Sequence, residues 1–356
     1  MTDHEEKQER IREALAGHPV NPGQNWAVSN DKHKILFCWM QKVGCTFFRQ
    51  VFINLHREGI TEAHPSTLAG KHQKFLEILH SAEWNKVVFY REPLSRFLSG
   101  WKDKCRGTRR NYCKHVFGGP NVTCVDAIFL LKDMNPQTLD GHFHPQVQHC
   151  NGLTRPILDN IYTMVEELKD HNSTRHAVRK MLQPFELTDE QLERVLSTGE
   201  DVHAHATNAN TILMQYYQDP QLVGIIVKYF IEDYKVFQIQ APDFAQTALY
   251  GLRERNDPYA LSDEEMQQLG LPLTPPASTT IHQVDSSSAP GTTADLILLN
   301  AALANDSSMD VRGFHVGFVF IGFCFHLYGV GAGWGASLGT VFGGHNLVPN
   351  NKNVTG

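Results

Sequence analysis

The sequence predicts an α/β fold in which a central parallel sheet is flanked by helices and followed by a largely helical C-terminal half. Residues 34–40 (KILFCWM) and 86–90 (KVVFY) are short apolar runs, which predict buried strands. Between them, residues 47–56 (FFRQVFINLH) have helical periodicity. Strand, helix and strand in this order are typical of a βαβ unit, in which the two strands lie parallel in one sheet.

The rest of the chain carries mainly helical signals. Residues 1–17 are charged and predict a short helix rather than a signal peptide or membrane anchor. A second helical stretch follows Pro65 and runs to about Trp84. Thr188 to Gln191 form a capping box that opens a helix, and residues 220–237 start with a proline and continue as an amphipathic helix.

Composition divides the chain into four parts. We predict an N-terminal extension at 1–29, one domain at 30–242, a linker rich in Pro, Ser and Thr at 243–295, and an apolar tail rich in Gly and Phe at 296–356. Within the tail, residues 313–344 contain no charged side chain other than histidine and are long enough to span a bilayer. A membrane segment and a disordered, poorly packed segment therefore both stay open as interpretations.

Bulk composition limits the classes of function. With 41% hydrophobic and 20% charged residues in 356, the chain can bury a core. A formal net charge of −6 argues against wholesale binding of nucleic acid, so an anionic partner would have to meet a local basic patch.

Four of the seven cysteines fall within residues 105–150 without a CxxC pair, which favours disulfides and an oxidising compartment over a zinc ribbon. Which cysteines pair stays open. Sequons agree with that compartment at Asn121, Asn172, Asn305 and Asn353.

The first candidate site is the segment Gln41 to Thr46 (QKVGCT), between the first predicted strand and its helix. Backbone N–H groups at a helix N-terminus favour an anion, and Lys42 and Thr46 add an ammonium and a hydroxyl. The GxxxxGK[ST] pattern of a Walker A loop is absent from the sequence. By spacing alone, an ordinary strand–helix turn explains the segment equally well.

The second candidate site is REPLSRFLSGW, which begins where the second strand ends. Arg91 can bind a phosphate with two nitrogens, and Ser99 lies about two turns into a helix opened by Pro93. The alternative is an exposed arginine at a strand end.

Together the two segments resemble a known pair of motifs. FCWMQKVGCTFFRQVF is similar to the 5′-phosphosulfate loop of carbohydrate sulfotransferases of the chondroitin 4-O-sulfotransferase and HNK-1 sulfotransferase group, including its divergent invertebrate members, and FYREPLSRFLSGW is similar to their 3′-phosphate motif. DKC (103–105), NVTC (121–124), HFHPQ (142–146) with Cys150, HATNAN (205–210) and YFIEDYKVF (229–237) match further family segments. The resemblance covers about residues 30–240 and implies a P-loop-like sulfotransferase fold.

The resemblance implies that the donor is 3′-phosphoadenosine 5′-phosphosulfate (PAPS) and that no metal is required. Lys42 would stabilise the departing phosphate, Arg91 and Ser99 would bind the 3′-phosphate, and His142 would be the general base, with His144 as the second candidate. His142 in a purely structural role is the alternative. The residues expected to contact the donor are Lys42, Val43, Gly44, Cys45, Thr46, Arg49, Arg91 and Ser99.

The resemblance also implies a glycan acceptor, with a glycosaminoglycan on a proteoglycan among the candidates, and a catalytic domain in the Golgi lumen attached to the membrane. Six basic residues form a cluster that is either a binding surface for an acidic glycan or part of a solvated loop. They are Lys102, Lys104, Arg106, Arg109, Arg110 and Lys114. Three alternatives stay open: a nucleotide kinase using Mg²⁺, a non-catalytic glycan-binding relative, and a cytosolic sulfotransferase for small molecules.

Overall fold

The computed structural model describes residues 2–18, 27–61, 66–67, 71–106, 110–197 and 209–275. Its strands are β1 (Ala27–Asn30), β2 (Ile35–Cys38), β3 (Ser66–Thr67), β4 (Asn85–Tyr90) and β5 (Met164–Glu167). The helices of the first half are α1 (Asp3–Leu15), α2 (Cys45–Arg57), α3 (His72–His80), α4 (Pro93–Cys105), α5 (Arg110–Phe117) and α6 (Cys124–Leu131). Those of the second half are α7 (Arg155–Ile161), α8 (His171–Met181), α9 (Asp189–Leu196), α10 (Ala209–Tyr216), α11 (Pro220–Tyr229), α12 (Ile231–Phe237), α13 (Asp243–Glu254) and α14 (Asp263–Gln268).

The five strands form one mixed sheet in the order β3-β1-β2-β4-β5. β2, β4 and β5 are parallel, which confirms the predicted α/β fold and its βαβ unit. β1 pairs antiparallel with β2 and with β3, and so adds an antiparallel edge that the sequence pattern did not predict. Because ligands of open α/β sheets bind outside the carboxyl ends of the parallel strands, the loops after β2 and β4 are where a site is expected.

An aromatic cluster fixes α2 against the sheet. The ring of Phe48 lies 4.6 Å from that of Phe37 on β2 and 5.1 Å from that of Phe89 on β4. Phe52, one turn further along α2, stacks on Phe37 at 5.9 Å. Rings at these separations pack favourably beyond the area that they bury. The cluster therefore sets the position of the helix whose N-terminus follows the QKVGCT loop.

The predicted helices are present with adjusted ends. The capping box at Thr188 opens α9, as predicted. The predicted 220–237 helix is interrupted at Phe230, where α11 ends and α12 begins. The charged N-terminal segment forms α1, which packs on α3 and α7 through the fully buried Ile11.

Part of the predicted linker is folded. Residues 243–268 form α13 and α14, and α13 packs on α11. Ala245, Leu249 and Leu252 are buried at helical spacing, which the interpretation as a linker overlooked. The boundary at residue 242 is therefore wrong for this stretch. The remainder of the predicted linker and the tail at 296–356 lie outside the described residues. Among the helices that are described, none is both long and apolar enough to cross a bilayer.

Two disulfides join cysteines whose pairing the sequence left open. Cys105 pairs with Cys113 across a separation of 8 residues, and Cys38 pairs with Cys150 across a separation of 112. The second bond ties the end of β2 to the segment that follows the HFHPQ motif. Cys124 is a buried thiol, and burial raises its pKa above the usual range.

Candidate anion and acid–base site

The loop after β2 forms a turn that opens α2 without a side-chain cap. Lys42 and Gly44 both have left-handed backbone conformations, with φ of 66° and 72°. Gly44 is the N-cap of α2, and a Cβ atom built on it would lie 3.1 Å from the ring of Phe48, so both the conformation and the space favour glycine here. The first turn of α2 carries no acidic residue. Its N–H groups and positive dipole end are suited to an anion.

The ammonium of Lys42 lies beside the last turn of α4. Its Nζ is 3.3 Å from Oδ2 of Asp103, and the same oxygen is 3.2 Å from Nζ of Lys104. Burial lowers the pKa of Lys42 from its ordinary value, and the carboxylate of Asp103 opposes that shift. Burial alone would raise the pKa of Asp103, but Lys42 and Lys104 outweigh it, so this pKa is lowered. Asp103 is therefore an ionised bridge between two cations.

Arg91 follows β4 directly and is fixed by its neighbours. Its Nε donates to Oγ of Ser95, 2.9 Å away, and its backbone N–H and C=O bind the side-chain amide of Gln146 at 2.9 and 2.8 Å. Burial lowers the pKa of Arg91 to about 10, so the guanidinium stays charged at neutral pH. Ser99 lies one turn beyond Ser95 on the same helix and is 3% exposed. Ser95 and Ser99 thus lie one turn apart on one face of α4, and Arg91 contacts the first of them from the loop before the helix.

His142 is held by a carboxylate. Its Nδ1 is 2.6 Å from Oδ1 of Asp140, and its backbone N–H donates to the same oxygen at 2.9 Å. The hydroxyl of Tyr112 donates to the second oxygen of Asp140 and lies 3.3 Å from Nδ1 of His142. These hydrogen bonds outweigh burial and lower the pKa of Asp140, which stays ionised. An ionised carboxylate accepts only, so Nδ1 carries the proton and Nε2 carries the lone pair.

The imidazole of His142 is neutral at pH 7. Burial lowers its pKa below the ordinary value of 6.5, the hydrogen bond to Asp140 opposes this, and the positive charges of Lys104 and Lys42 add to it. The two loops also touch, because a Cβ atom built on Gly141 would lie 3.1 Å from the side-chain amide of Gln41. The structure thus brings together the segments of Lys42 and His142, although 100 residues separate them in sequence. A neutral imidazole with an oriented lone pair is the form that accepts a proton.

Close backbone approaches bring these segments together. A Cβ atom on Gly100 of α4 would lie 3.2 Å from the backbone oxygen of His142 and 3.0 Å from the ring of Phe143, so the absence of a side chain lets the loop rest on the helix. Arg96, which is 1% exposed, donates from its guanidinium to the backbone oxygens of Gln41, Gly141 and His144 at 3.1, 3.2 and 2.6 Å. One buried side chain of α4 thereby joins the two loops.

The other predicted residues differ in their surroundings. Thr46 and Arg49 are exposed on α2, Cys45 is a half-buried thiol, and the side chain of Val43 is in the core. His144 is buried behind the loop, facing His149 with ring centroids 6.1 Å apart, so it is less suited than His142 to contact an acceptor.

Sequence reasoning missed Asp140, Tyr112 and Ser95, and it did not give Asp103 a role. The RxxxS spacing of Arg91 and Ser95 was a readable signal, whereas the contact between Tyr112 and Asp140 depends on tertiary structure.

Two members of the basic cluster contact aromatic side chains. The ammonium of Lys104 lies over the ring of Tyr112 at 4.9 Å, and the guanidinium of Arg106 donates to the hydroxyl of Tyr216.

The fold and the site define an α/β protein with a strand–loop–helix segment suited to an anion and an Asp–His pair. The family model described as "Sulfotransferase family" matches residues 26–240, which is more than half of the chain. The chain belongs to this sulfotransferase family.

The chain is also similar to individual carbohydrate sulfotransferases. The chain is 25% identical over 245 residues to carbohydrate sulfotransferase 9 of Homo sapiens, a match that covers 60% of this chain and 52% of the relative. It is 24% identical over 178 residues to human carbohydrate sulfotransferase 14, covering 40% and 47%. It is 25% identical over 248 residues to carbohydrate sulfotransferase 10 of Mus musculus, covering 60% and 67%. The chain thus spans about half the length of the human relatives. No solved structure matches it significantly.

Proposed function

We propose that this protein is a carbohydrate O-sulfotransferase that moves a sulfuryl group from PAPS to a sugar hydroxyl of a glycan. The observation that carries the proposal is the arrangement of Lys42 at an uncapped helix N-terminus near a neutral, carboxylate-held His142. The family match and the curated carbohydrate sulfotransferases support it.

The donor fits the first half of the site. The N–H groups that open α2, with Lys42 and Thr46, would bind the 5′-phosphosulfate, and Arg91 with Ser95 and Ser99 would bind the 3′-phosphate. Asp103 also supports an anionic ligand here, because its two lysine partners hold more positive charge than one carboxylate cancels. Arg49, exposed on α2, and the backbone of Val43, Gly44 and Cys45 complete the proposed donor contacts.

The residues account for each change of charge in the transfer. The acceptor oxygen forms a bond to sulfur while the bond from sulfur to the phosphate oxygen breaks, and the electron pair of that bond stays on the phosphate. Lys42 stabilises the negative charge that develops there. The hydroxyl proton passes to Nε2 of His142, and Asp140 stabilises the imidazolium that forms. None of these steps uses a metal ion.

We also propose a class of acceptor and a cellular location for the protein. A glycosaminoglycan such as chondroitin on a proteoglycan is the acceptor class that the family resemblance favours. Lys114, exposed on the helix that also carries Tyr112, provides a positive charge for its acidic groups. By the same resemblance we place the catalytic domain in the Golgi lumen, associated with the membrane. The disulfides agree with an oxidising compartment.

The test is transfer of radiolabelled sulfate from PAPS to a panel of desulfated glycosaminoglycans and neutral glycans, with and without EDTA. Lys42→Ala should reduce kcat at least about 100-fold, since it removes a charge stabilising the leaving group. Lys74→Ala is the matched control, because Lys74 pairs with Asp31 at an exposed position. A transfer that requires magnesium and uses ATP would favour a nucleotide kinase. Binding of glycan without transfer would favour a non-catalytic relative, and a folded protein that neither transfers sulfate nor binds nucleotide would refute the proposal.

A further inference from the structure

Asp103 contacts the ammonium group of Lys42 and is therefore able to affect its position and its charge. Its Oδ2 contacts the ammonium groups of Lys42 and Lys104 at 3.3 and 3.2 Å, and the exposed fractions of the three side chains are 16%, 10% and 12%. Exposed ion pairs contribute little, but a sheltered pair is weakly screened and loses much when one partner is removed. The ion pair between Asp103 and Lys42 should therefore have a larger effect than an exposed ion pair does.

The charged and titratable groups around Lys42 come from three elements. Asp103 and Lys104 belong to α4, Cys45 opens α2, and His142 comes from the loop after α6. Lys104 disfavours a second positive charge, and His142 is neutral at pH 7. Asp103 is the carboxylate in this set, and of these groups it most strongly favours the charged form of Lys42.

We infer that Asp103 is a positioning residue of the proposed transfer, which holds the ammonium of Lys42 beside the phosphosulfate loop and keeps it protonated. The inference rests on the proposed function, in which Lys42 acts only as a cation. A neutral amine could not stabilise the charge on the departing phosphate. Because burial favours the neutral amine, an adjacent carboxylate is what makes a buried lysine usable at neutral to alkaline pH.

A merely structural role for Asp103 predicts a different outcome. If Asp103 only anchored the end of α4, its loss would weaken the protein and its activity equally at every pH. If it acts through Lys42, the loss grows as pH rises, because Lys42 then deprotonates at a lower pH. The pH profile separates the two roles.

The experiment uses the full chain and its Asp103→Asn variant. Binding of 3′-phosphoadenosine 5′-phosphate is measured by calorimetry between pH 6 and pH 10, and kcat/KM for PAPS over the same range. We expect the alkaline limb of both profiles to move down by about one to three pH units, the shift that an opposite charge at this distance produces. Asp31→Asn, which breaks the exposed pair with Lys74, should overlay the wild type.

Two further variants keep the inference falsifiable. In a Lys42→Met background the Asp103→Asn change should no longer alter nucleotide binding, since coupled residues are not additive. Asp103→Glu, which keeps the charge, should restore the alkaline limb, and Asp103→Ser serves if the amide variant does not fold.

A loss that is equal at all pH values, or one that persists without Lys42, overturns the inference. Wild-type protein that binds no nucleotide would instead reject the proposed function itself.

Discussion

Replacing Asp140 by asparagine tests whether His142 is the general base. The carboxylate accepts from Nδ1 of His142 at 2.6 Å and from its backbone N–H at 2.9 Å. A hydrogen bond to a charged group contributes about 1.5–3 kcal/mol. Since each 1.4 kcal/mol corresponds to about tenfold in rate, replacing this ionised acceptor by a neutral amide should lower kcat by up to about 150-fold. The KM for PAPS should change little, because Asp140 does not belong to the proposed donor contacts.

The pH profile of the same variant gives an independent readout. Burial lowers the pKa of His142 and Asp140 opposes that effect, so removing the carboxylate lowers this pKa further. We expect the acid limb of kcat/KM below pH 6.5 in the wild type, because burial lowers the pKa of His142, and at still lower pH in the variant. The assay is sulfate transfer to the best acceptor from pH 4.5 to pH 8. Tyr112→Phe, which removes one hydroxyl donor but leaves the carboxylate of Asp140, should leave the acid limb near its wild-type position. An Asp140→Asn enzyme with kcat within about twofold of wild type and an unmoved acid limb would refute the reasoning.

Two stability predictions follow from other buried groups. Replacing Cys38 and Cys150 by alanine opens a loop with a separation of 112 residues and should lower the free energy of unfolding by about 2–5 kcal/mol, measured in urea without reductant; an unchanged midpoint would contradict it. His144 and His149 are buried, and burial lowers the pKa of both below 6.5. The unfolded chain therefore binds more protons below pH 6.5. Stability should fall as pH drops from 6.5 to 5.5, by up to about 1.4 kcal/mol per pH unit for each histidine, and a flat profile would contradict this.

Local motifs made the segments of the proposed donor half recognisable in the sequence. The QKVGCT loop, Arg91 and Ser99 occur within short segments, so their type and spacing can be read directly, and the βαβ pattern around them is confirmed. Assigning them to the donor stays a prediction. The antiparallel edge was missed because β1 has four residues and β3 has two, which is too short for a periodic signal.

The acid–base half could be predicted only in part. His142 was identified through a resemblance. Asp140 lies only two residues before it in the same loop, whereas Tyr112 comes from α5, and no spacing rule predicts that second contact. The mistaken linker has a different cause. The composition rich in Pro, Ser and Thr begins near residue 267, and it was extended back over α13, whose buried residues follow an ordinary helical pattern.

The three carbonyl contacts of Arg96 have a consequence for protein engineering. Because one guanidinium bonds to the backbone of Gln41, Gly141 and His144, the donor loop and the loop that carries His142 are not interchangeable modules. In a chimaera that takes only one loop from a relative, the backbone oxygens of that loop would no longer match the guanidinium group of Arg96. Lysine has too few directed donors to substitute for this arginine. Attempts to alter acceptor choice by loop exchange should therefore transplant both loops with α4 as one cassette.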